Sequence, residues 1–191
     1  METHFIEKKF AYDGSQLRSL FAYLDHGVLG PSIIAWQGRC SIPFSHMVDG
    51  EDLLANAVIA GDEMLHFIIE IFDRDLFSGV CLQRMFASIA KDYVNAMAIS
   101  HGTLGSHFLH RDGDDIYWGE SKLSISIATR SPVSTMVHFA MNITNDGTPV
   151  KTSCLNDFKL DPRRVAEDLM TLFKKEFISM VTATQKVRPV P

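Results

Sequence analysis

Lys122-Leu-Ser-Ile-Ser-Ile-Ala-Thr-Arg130 and, after Ser131-Pro132, Thr135-Met-Val-His-Phe-Ala-Met-Asn-Ile143 decide the fold. Leu123, Ile125 and Ile127 alternate with Ser124, Ser126 and Ala128. Val137, Phe139, Met141 and Ile143 alternate with His138, Ala140 and Asn142. Alternation with period two is the signature of a β-strand, and Pro132 suits the turn between two such runs, so the pair is expected as adjacent antiparallel strands. A lone lysine opens the first run, fed by the carboxylate-rich strip Arg111-Asp112-Gly113-Asp114-Asp115. That is a place to hold an anionic or acyl-activated ligand.

Working outward, two helical patterns flank these strands. Leu82, Phe86, Ile89 and Tyr93 recur at helical spacing and predict a long helix from about Leu76 to Met97. Asp161 followed by Pro162 is N-cap and first-turn chemistry for a second helix with a face of Val165, Leu169, Leu172, Phe173, Phe177 and Met180. Phe5 to Tyr12 reads as a first strand, and Asp13-Gly14-Ser15 as a turn before a short helix carrying Leu17, Leu20, Phe21 and Leu24. Ser32 to Trp36 reads as a buried strand closed by Gly38, and Glu51 to Ile59 as a small helix. Met64 to Phe72 fits either strand or helix, with Ile68, Ile69 and Ile71 favouring strand. Asp115 to Trp118 reads as a short strand. Together these give an α+β fold, a mixed and largely antiparallel sheet packed with helices.

Composition bounds the rest. The 191 residues, 46% apolar, suffice for one core, so residues 1–191 are expected as a single domain. The net charge, 18 − 23 = −5, disfavours general nucleic-acid binding. Cys40, Cys81 and Cys154 form no paired framework, no apolar run reaches bilayer length, and Met1 to Lys9 lacks signal-peptide order; a cytoplasmic protein is expected, with no membrane association.

The order of elements resembles a known family at this point. The predicted long helix, then Asp114-Asp115-Ile116-Tyr117, Lys122-Leu123-Ser124 and Val137 to Ile143 are similar to the catalytic half of the biotin and lipoate protein ligases and octanoyltransferases. There an Asn-Asp-Ile-Tyr-like strand precedes a lysine, and a following strand ends in Asn-Val or Asn-Ile. Across nearly its full length, through Tyr12 to Ser19, Asp62 to His66 and Ser131 to Thr135, the chain also resembles an archaeal and bacterial family described as a domain of unknown function.

The resemblance implies roles. Lys122 would contact an acyl carbonyl or phosphate, where a cation stabilises developing negative charge, with Asp115 beside it. ATP with Mg²⁺ would be the activating cofactor in a ligase, but nothing between Gly38 and Leu76 reproduces the glycine-arginine loop that covers an adenylate. Cys154 stands as the nucleophile of an octanoyltransferase reading, yet it lacks the Pro-Cys-Gly setting and reads more simply as a small buried residue.

Asp13, Gln16 and Arg18 are substrate-binding candidates, Arg18 through a carboxylate or phosphate; the alternative is helix capping with Arg18 solvated. Asp112 and Gly113 read as a turn. His138 and Asn142 share one face of their strand and would line a pocket on that side. His66, His101, His107 and His110 show no zinc-ligand spacing, so no metal site is expected. Partners follow in kind: a small-molecule ligand is expected, and an acceptor protein and a homodimeric state stay open. Two functions remain, an acyl-transfer or acyl-ligase enzyme and a non-catalytic small-ligand-binding protein on the same scaffold.

Overall fold

In a computed structural model of the protein, which describes residues 1–105 and 107–190, the strand pair forms as expected. β7 (Ser124–Arg130) runs antiparallel to β8 (Ser134–Asn142), from Ser124 opposite Met141 to Arg130 opposite Thr135. The other strands are β1 (Glu2–Phe5), β2 (Ser32–Ser41), β3 (Ala60–Phe72), β4 (Leu109–Asp112), β5 (Asp115–Trp118) and β6 (Ser121–Lys122). The main sheet has the order β1-β2-β3-β8-β7, parallel between β1 and β2 and antiparallel elsewhere, and a small sheet has the order β4-β5-β6. Lys122 therefore belongs to the small sheet, paired with Tyr117, and the chain crosses to the main sheet at Leu123.

Helices α1 (Phe21–His26), α2 (Gly50–Ala55), α3 (Leu76–Ser100) and α4 (Pro162–Thr184) pack around these strands. Asp75 and Asp161 cap α3 and α4 by accepting the amides of Ser78 and Arg164, and Pro162 takes the first turn, where its missing N–H costs nothing. Both long helices bury their apolar stripes on one face of the sheet. Phe86 of α3 meets Phe67, Phe139 and Phe173 edge-on, with ring centroids 5.0–5.2 Å apart. Ala87, Ala90 and Ala98 let α3 lie close to the strands. Leu172 and Met180, expected on the buried stripe, are exposed.

Four local expectations change for physical reasons. The first strand ends at Phe5, because more residues separate Phe5 from Tyr12 than separate their partners Ala35 and Cys40, so the chain bows out of register and meets β2 again in one parallel bridge, Tyr12 to Cys40. Gly38 does not close β2. The strand continues through an irregularity there, and a side chain at Gly38 would collide with the Phe10 carbonyl oxygen. The helix after Asp13 shrinks to six residues because Leu20 adopts a left-handed φ of 63°, its amide held by Glu70 Oε1 at 2.7 Å. The helix after Asp49 stops at Ala55, where left-handed Asn56 terminates it.

The ambiguous run becomes β3, the thirteen-residue centre of the sheet. Its neighbours hold it on both sides, so its apolar residues fill both faces instead of alternating. On β7 the alternation is inverted relative to a simple amphipathic strand. Ser126 faces α3, where Gln83 donates to its hydroxyl at 2.6 Å, while Ile125 joins the opposite face.

Candidate functional site

The sheet face away from α3 and α4 carries a cavity of about 410 Å³. Met64 of β3, Asn142 of β8 and Ile125 and Ile127 of β7 line it from the sheet. Asp115 and Lys122 of the β5–β6 hairpin, residues of the stretch from Ile42 to Ala60, including α2, and residues between Thr148 and Thr152 complete the lining. Such a volume is in the range of small-molecule sites.

Lys122 is the most firmly placed polar residue there. Its amide donates to the Lys151 carbonyl, and its own carbonyl accepts the Ser153 amide at 3.1 Å and Asn142 Nδ2–H at 3.2 Å. Asn142 also donates to the Ser153 carbonyl at 3.1 Å. Two separate chain segments, the end of β8 and the stretch from Lys151 to Ser153, thus fix the lysine backbone before its side chain does anything. Lys122 Nζ then lies 2.7 Å from Asp115 Oδ2, both side chains about three-quarters buried, at 28% and 25% exposure. Burial raises the Asp115 carboxyl above its usual range, and the Lys122 hydrogen bond and charge pull it back. Asp114, its neighbour, accepts Gln83 Nε2–H at 2.8 Å and the Ser126 hydroxyl at 3.1 Å, and faces Arg84 at 3.5 Å.

Asp52 of α2 lines the same cavity. Burial and the nearby Asp49 raise its carboxyl, with Lys122 acting against them. Asp49 itself caps α2, accepting the amides of Glu51 and Asp52. In sequence these acids read only as the start of a helix, and the one signal that could have found them is the density of carboxylates in Asp49-Gly50-Glu51-Asp52.

Beneath the cavity lies a stack of buried rings. Tyr12 covers His138 at a centroid distance of 3.6 Å, and Trp36 stacks on His66 at 5.2 Å. His66 Nε2 is 3.1 Å from the Gly38 carbonyl, which can only accept, so Nε2 carries the proton; His66 Nδ1 then accepts from His138 Nε2–H at 3.1 Å. Both rings are neutral. Burial pushes His66 down to about 4 and His138 well below its ordinary value. His138 shares the cavity side of β8 with Asn142 but lies under the Tyr12 ring.

The remaining candidates sit elsewhere. Asp13 accepts the Ser15 amide and hydroxyl, and Gln16 reaches back to the Asp13 amide and the Ala11 carbonyl. The Asp13 carbonyl accepts His46 Nδ1–H at 2.8 Å, and His46 lines the cavity. Arg18 pairs with Asp25 at 2.6 Å and lies over the Phe21 ring, outside the cavity lining. Cys154 is buried at the start of the 3₁₀ turn Leu155–Phe158, and burial pushes its thiol up to about 11, which leaves little thiolate at neutral pH. Among the described residues, no three His, Cys, Asp or Glu side chains gather to hold a metal ion, and no helix is long and apolar enough to cross a membrane.

Comparison with known proteins places this geometry. The family model described as a domain of unknown function (DUF366) matches residues 1–188. The chain belongs to the DUF366 family. An uncharacterized protein of Methanocaldococcus jannaschii is 27% identical over 197 residues, covering 100% of this chain and 86% of that one. A solved protein of unknown function from Pyrococcus horikoshi superposes with a TM-score of 0.91 at 34% identity, covering 100% and 99% of the two chains. The biotin protein ligase of Aquifex aeolicus, solved with biotin and ATP, superposes with a TM-score of 0.55 at 13% identity, over 90% of this chain and 69% of the ligase. A lipoate-protein ligase A bound with ATP gives 0.52 at 16% identity, over 94% and 86%. This DUF366 protein is therefore similar in fold to the biotin and lipoate protein ligases, and at these identities the likeness is one of fold alone.

Proposed function

We propose that the cavity binds a small acyl ligand, with Lys122 holding the acyl carbonyl and Asp115 holding Lys122. The observation that carries this reading is the 2.7 Å Lys122–Asp115 pair on the wall of a partly apolar cavity of about 410 Å³. An ammonium fixed there can meet charge that builds on a carbonyl oxygen during acyl transfer, and its carboxylate partner keeps it oriented. Asn142 is a positioning residue. Its amide hydrogen bonds to the Lys122 and Ser153 carbonyls set where the lysine begins. Similarity in fold to ligases solved with biotin and ATP supports the choice of an acyl ligand.

A free polyphosphate fits these walls poorly, because five carboxylates line the cavity against one lysine. The reading therefore assigns the acyl group, not the nucleotide, to Lys122. Whether the site only binds its ligand or also transfers it is a separate matter, and turnover decides it. Mass spectrometry of ligand retained through native purification, followed by a thermal-shift screen of biotin, lipoate and acyl thioesters, tests the reading, since a ligand of the folded state raises its apparent stability. The expected result is a stabilising acyl compound whose effect disappears in Lys122→Ala. Full binding by a folded Lys122→Ala variant would refute the assignment.

A further inference from the structure

The polar turn from Tyr12 to Gln16 directs its side chains onto its own backbone, and it holds a histidine of the cavity in place. Tyr12 anchors the turn on β2: its amide donates to the Arg39 carbonyl at 2.8 Å, its carbonyl accepts the Ser41 amide at 3.0 Å, and its ring lies on the cavity lining. The Asp13 carboxylate accepts the Ser15 amide at 2.9 Å and hydroxyl at 2.6 Å, and Gln16 Oε1 accepts the Asp13 amide at 3.1 Å. The Asp13 carbonyl is left over from this internal set, and His46 Nδ1 meets it at 2.8 Å.

A carbonyl oxygen only accepts, so the His46 ring carries a proton on Nδ1, and in its neutral form Nε2 keeps a lone pair that no hydrogen bond occupies among the described residues. The ring is also confined. Gly14 has a left-handed φ of 91°, and a Cβ built there would lie 2.8 Å from the His46 Cβ, so the turn backs directly onto the histidine. From the other side the 3₁₀ turn Phe44–His46 fixes its backbone, the His46 amide donating to the Pro43 carbonyl at 2.9 Å. His46 lines the cavity together with Lys122, yet it is exposed to solvent. An oriented imidazole with an open Nε2 on the solvent side of an acyl cavity is placed to meet a nucleophile that arrives from outside. The Ser15 hydroxyl and amide hold the Asp13 carboxyl below its usual range, with the His46 charge acting in the same direction, so a carboxylate is at hand when the ring takes up a proton.

We propose that His46 is the general base of the cavity, its Nε2 taking the proton of an acceptor hydroxyl or amine as that acceptor attacks the carbonyl of an acyl thioester held at Lys122. The acceptor loses its proton to Nε2, a bond forms between its oxygen or nitrogen and the carbonyl carbon, and the carbonyl electron pair moves onto the oxygen that faces the Lys122 ammonium. As the carbonyl re-forms, the carbon–sulfur bond breaks, and the imidazolium returns the proton to the departing thiolate. The ring ends as it began. This rests on the acyl-ligand reading of the cavity and adds turnover to it.

The thioester S-hexanoyl-N-acetylcysteamine, with water as acceptor, is the probe: thiol release by the full chain is followed between about pH 5 and 8, the range in which an imidazole changes charge, beside calorimetric titration of hexanamide. The rate should rise with pH as the imidazole loses its proton. His46→Gln should lower kcat about a hundredfold or more and remove that limb while leaving hexanamide affinity unchanged, and added imidazole should restore part of the rate to His46→Ala. Asp13, Asp49, Glu51 and Asp52 also lie along the turn and the stretch that carry or contact His46, so the loss of the limb in the variant, not its position, assigns it. A limb that persists in His46→Gln, or a His46→Ala variant that imidazole leaves inert, would overturn the base, since a merely structural tie between His46 and Asp13 moves stability and neither of these. Hexanamide bound by an unaltered chain that releases no thiol would overturn the base and leave the acyl site standing. Hexanamide ignored by the unaltered chain, or bound equally by Lys122→Met, would overturn the acyl site and this inference with it. Should neither His46 variant fold, ¹⁵N NMR of the unaltered protein replaces them: the neutral ring should carry its proton on Nδ1, and the opposite tautomer would overturn the assignment.

Discussion

Acidification should unfold this protein through the histidine pair under Tyr12. His66 is fully buried and neutral, with its pKa held near 4 against about 6.5 in an unfolded chain. A folded-state pKa below the unfolded value contributes stability that is present above pH 6.5 and lost as pH falls toward 4. Each pH unit in that window is worth about 1.4 kcal/mol per histidine, so moving from pH 7 to pH 5 should remove about 2 kcal/mol through His66 alone. His138 shifts in the same direction and adds to the loss. Asp52 and Asp115, both raised, act oppositely, gaining stability as they protonate, but chiefly nearer the carboxylate range. With a urea slope of about 2 kcal/mol per molar, the His66 share moves the unfolding midpoint by about 1 M. His66→Gln isolates it, because the glutamine amide can donate to the Gly38 carbonyl and accept from His138 without titrating. Urea curves at pH 7 and pH 5 for both proteins give the answer: the variant should lose about 2 kcal/mol less than the unaltered chain. An identical loss in the two would refute the neutral-pair assignment.

The packing and the site set three further expectations. Phe86→Ala, which removes a fully buried ring in contact with three others, should cost about 3–5 kcal/mol in a denaturant titration; a loss under about 1 kcal/mol would take Phe86 out of the core. Gly38→Ala should cost about 3 kcal/mol because its methyl group meets the Phe10 carbonyl, and a midpoint unchanged in the same titration would mean that the loop retreats freely. Lys122→Met should raise the Asp115 carboxyl further, since both contributions that lower it most come from the lysine. A carboxyl ¹³C titration by NMR reads this directly, and a fall in that value would contradict the pairing.

The fold is legible where periodicity is clean. Both long helices and the Ser124–Arg130 and Ser134–Asn142 pair follow from spacing, as does the cap Asp161 with Pro162 after it. Met64 to Phe72, within the strand Ala60–Phe72, is ambiguous in sequence because a strand buried on both faces has no polar alternation to show. The helix after Asp13 is shorter than its local pattern suggests, because nothing nearby reveals that Glu70, fifty residues on, holds the Leu20 amide. In the site, Lys122 and Asp115 are visible as a charge beside a strand and an acid in the preceding loop. Asp52, His46 and Tyr12 are not, since only the folding of Ile42 to Ala60 across the sheet brings them to the same cavity. Arg18 is indistinguishable from a functional cation in sequence, because its pairing with Asp25 depends on where α1 turns.

The outer wall of the cavity has a dynamic consequence. α2 buries none of its residues, and Leu54 on it is 86% exposed, whereas β3 is covered on both faces and hydrogen-bonded on both edges. Opening the stretch around Gly50–Ala55 sacrifices little buried area, so its amides should exchange with solvent deuterium through local excursions, while those at the centre of β3 wait for global unfolding. Access to Lys122 is thereby decoupled from the stability of the sheet that positions it. A ligand can enter on the timescale of loop motion without loosening the two segments that hold the lysine backbone.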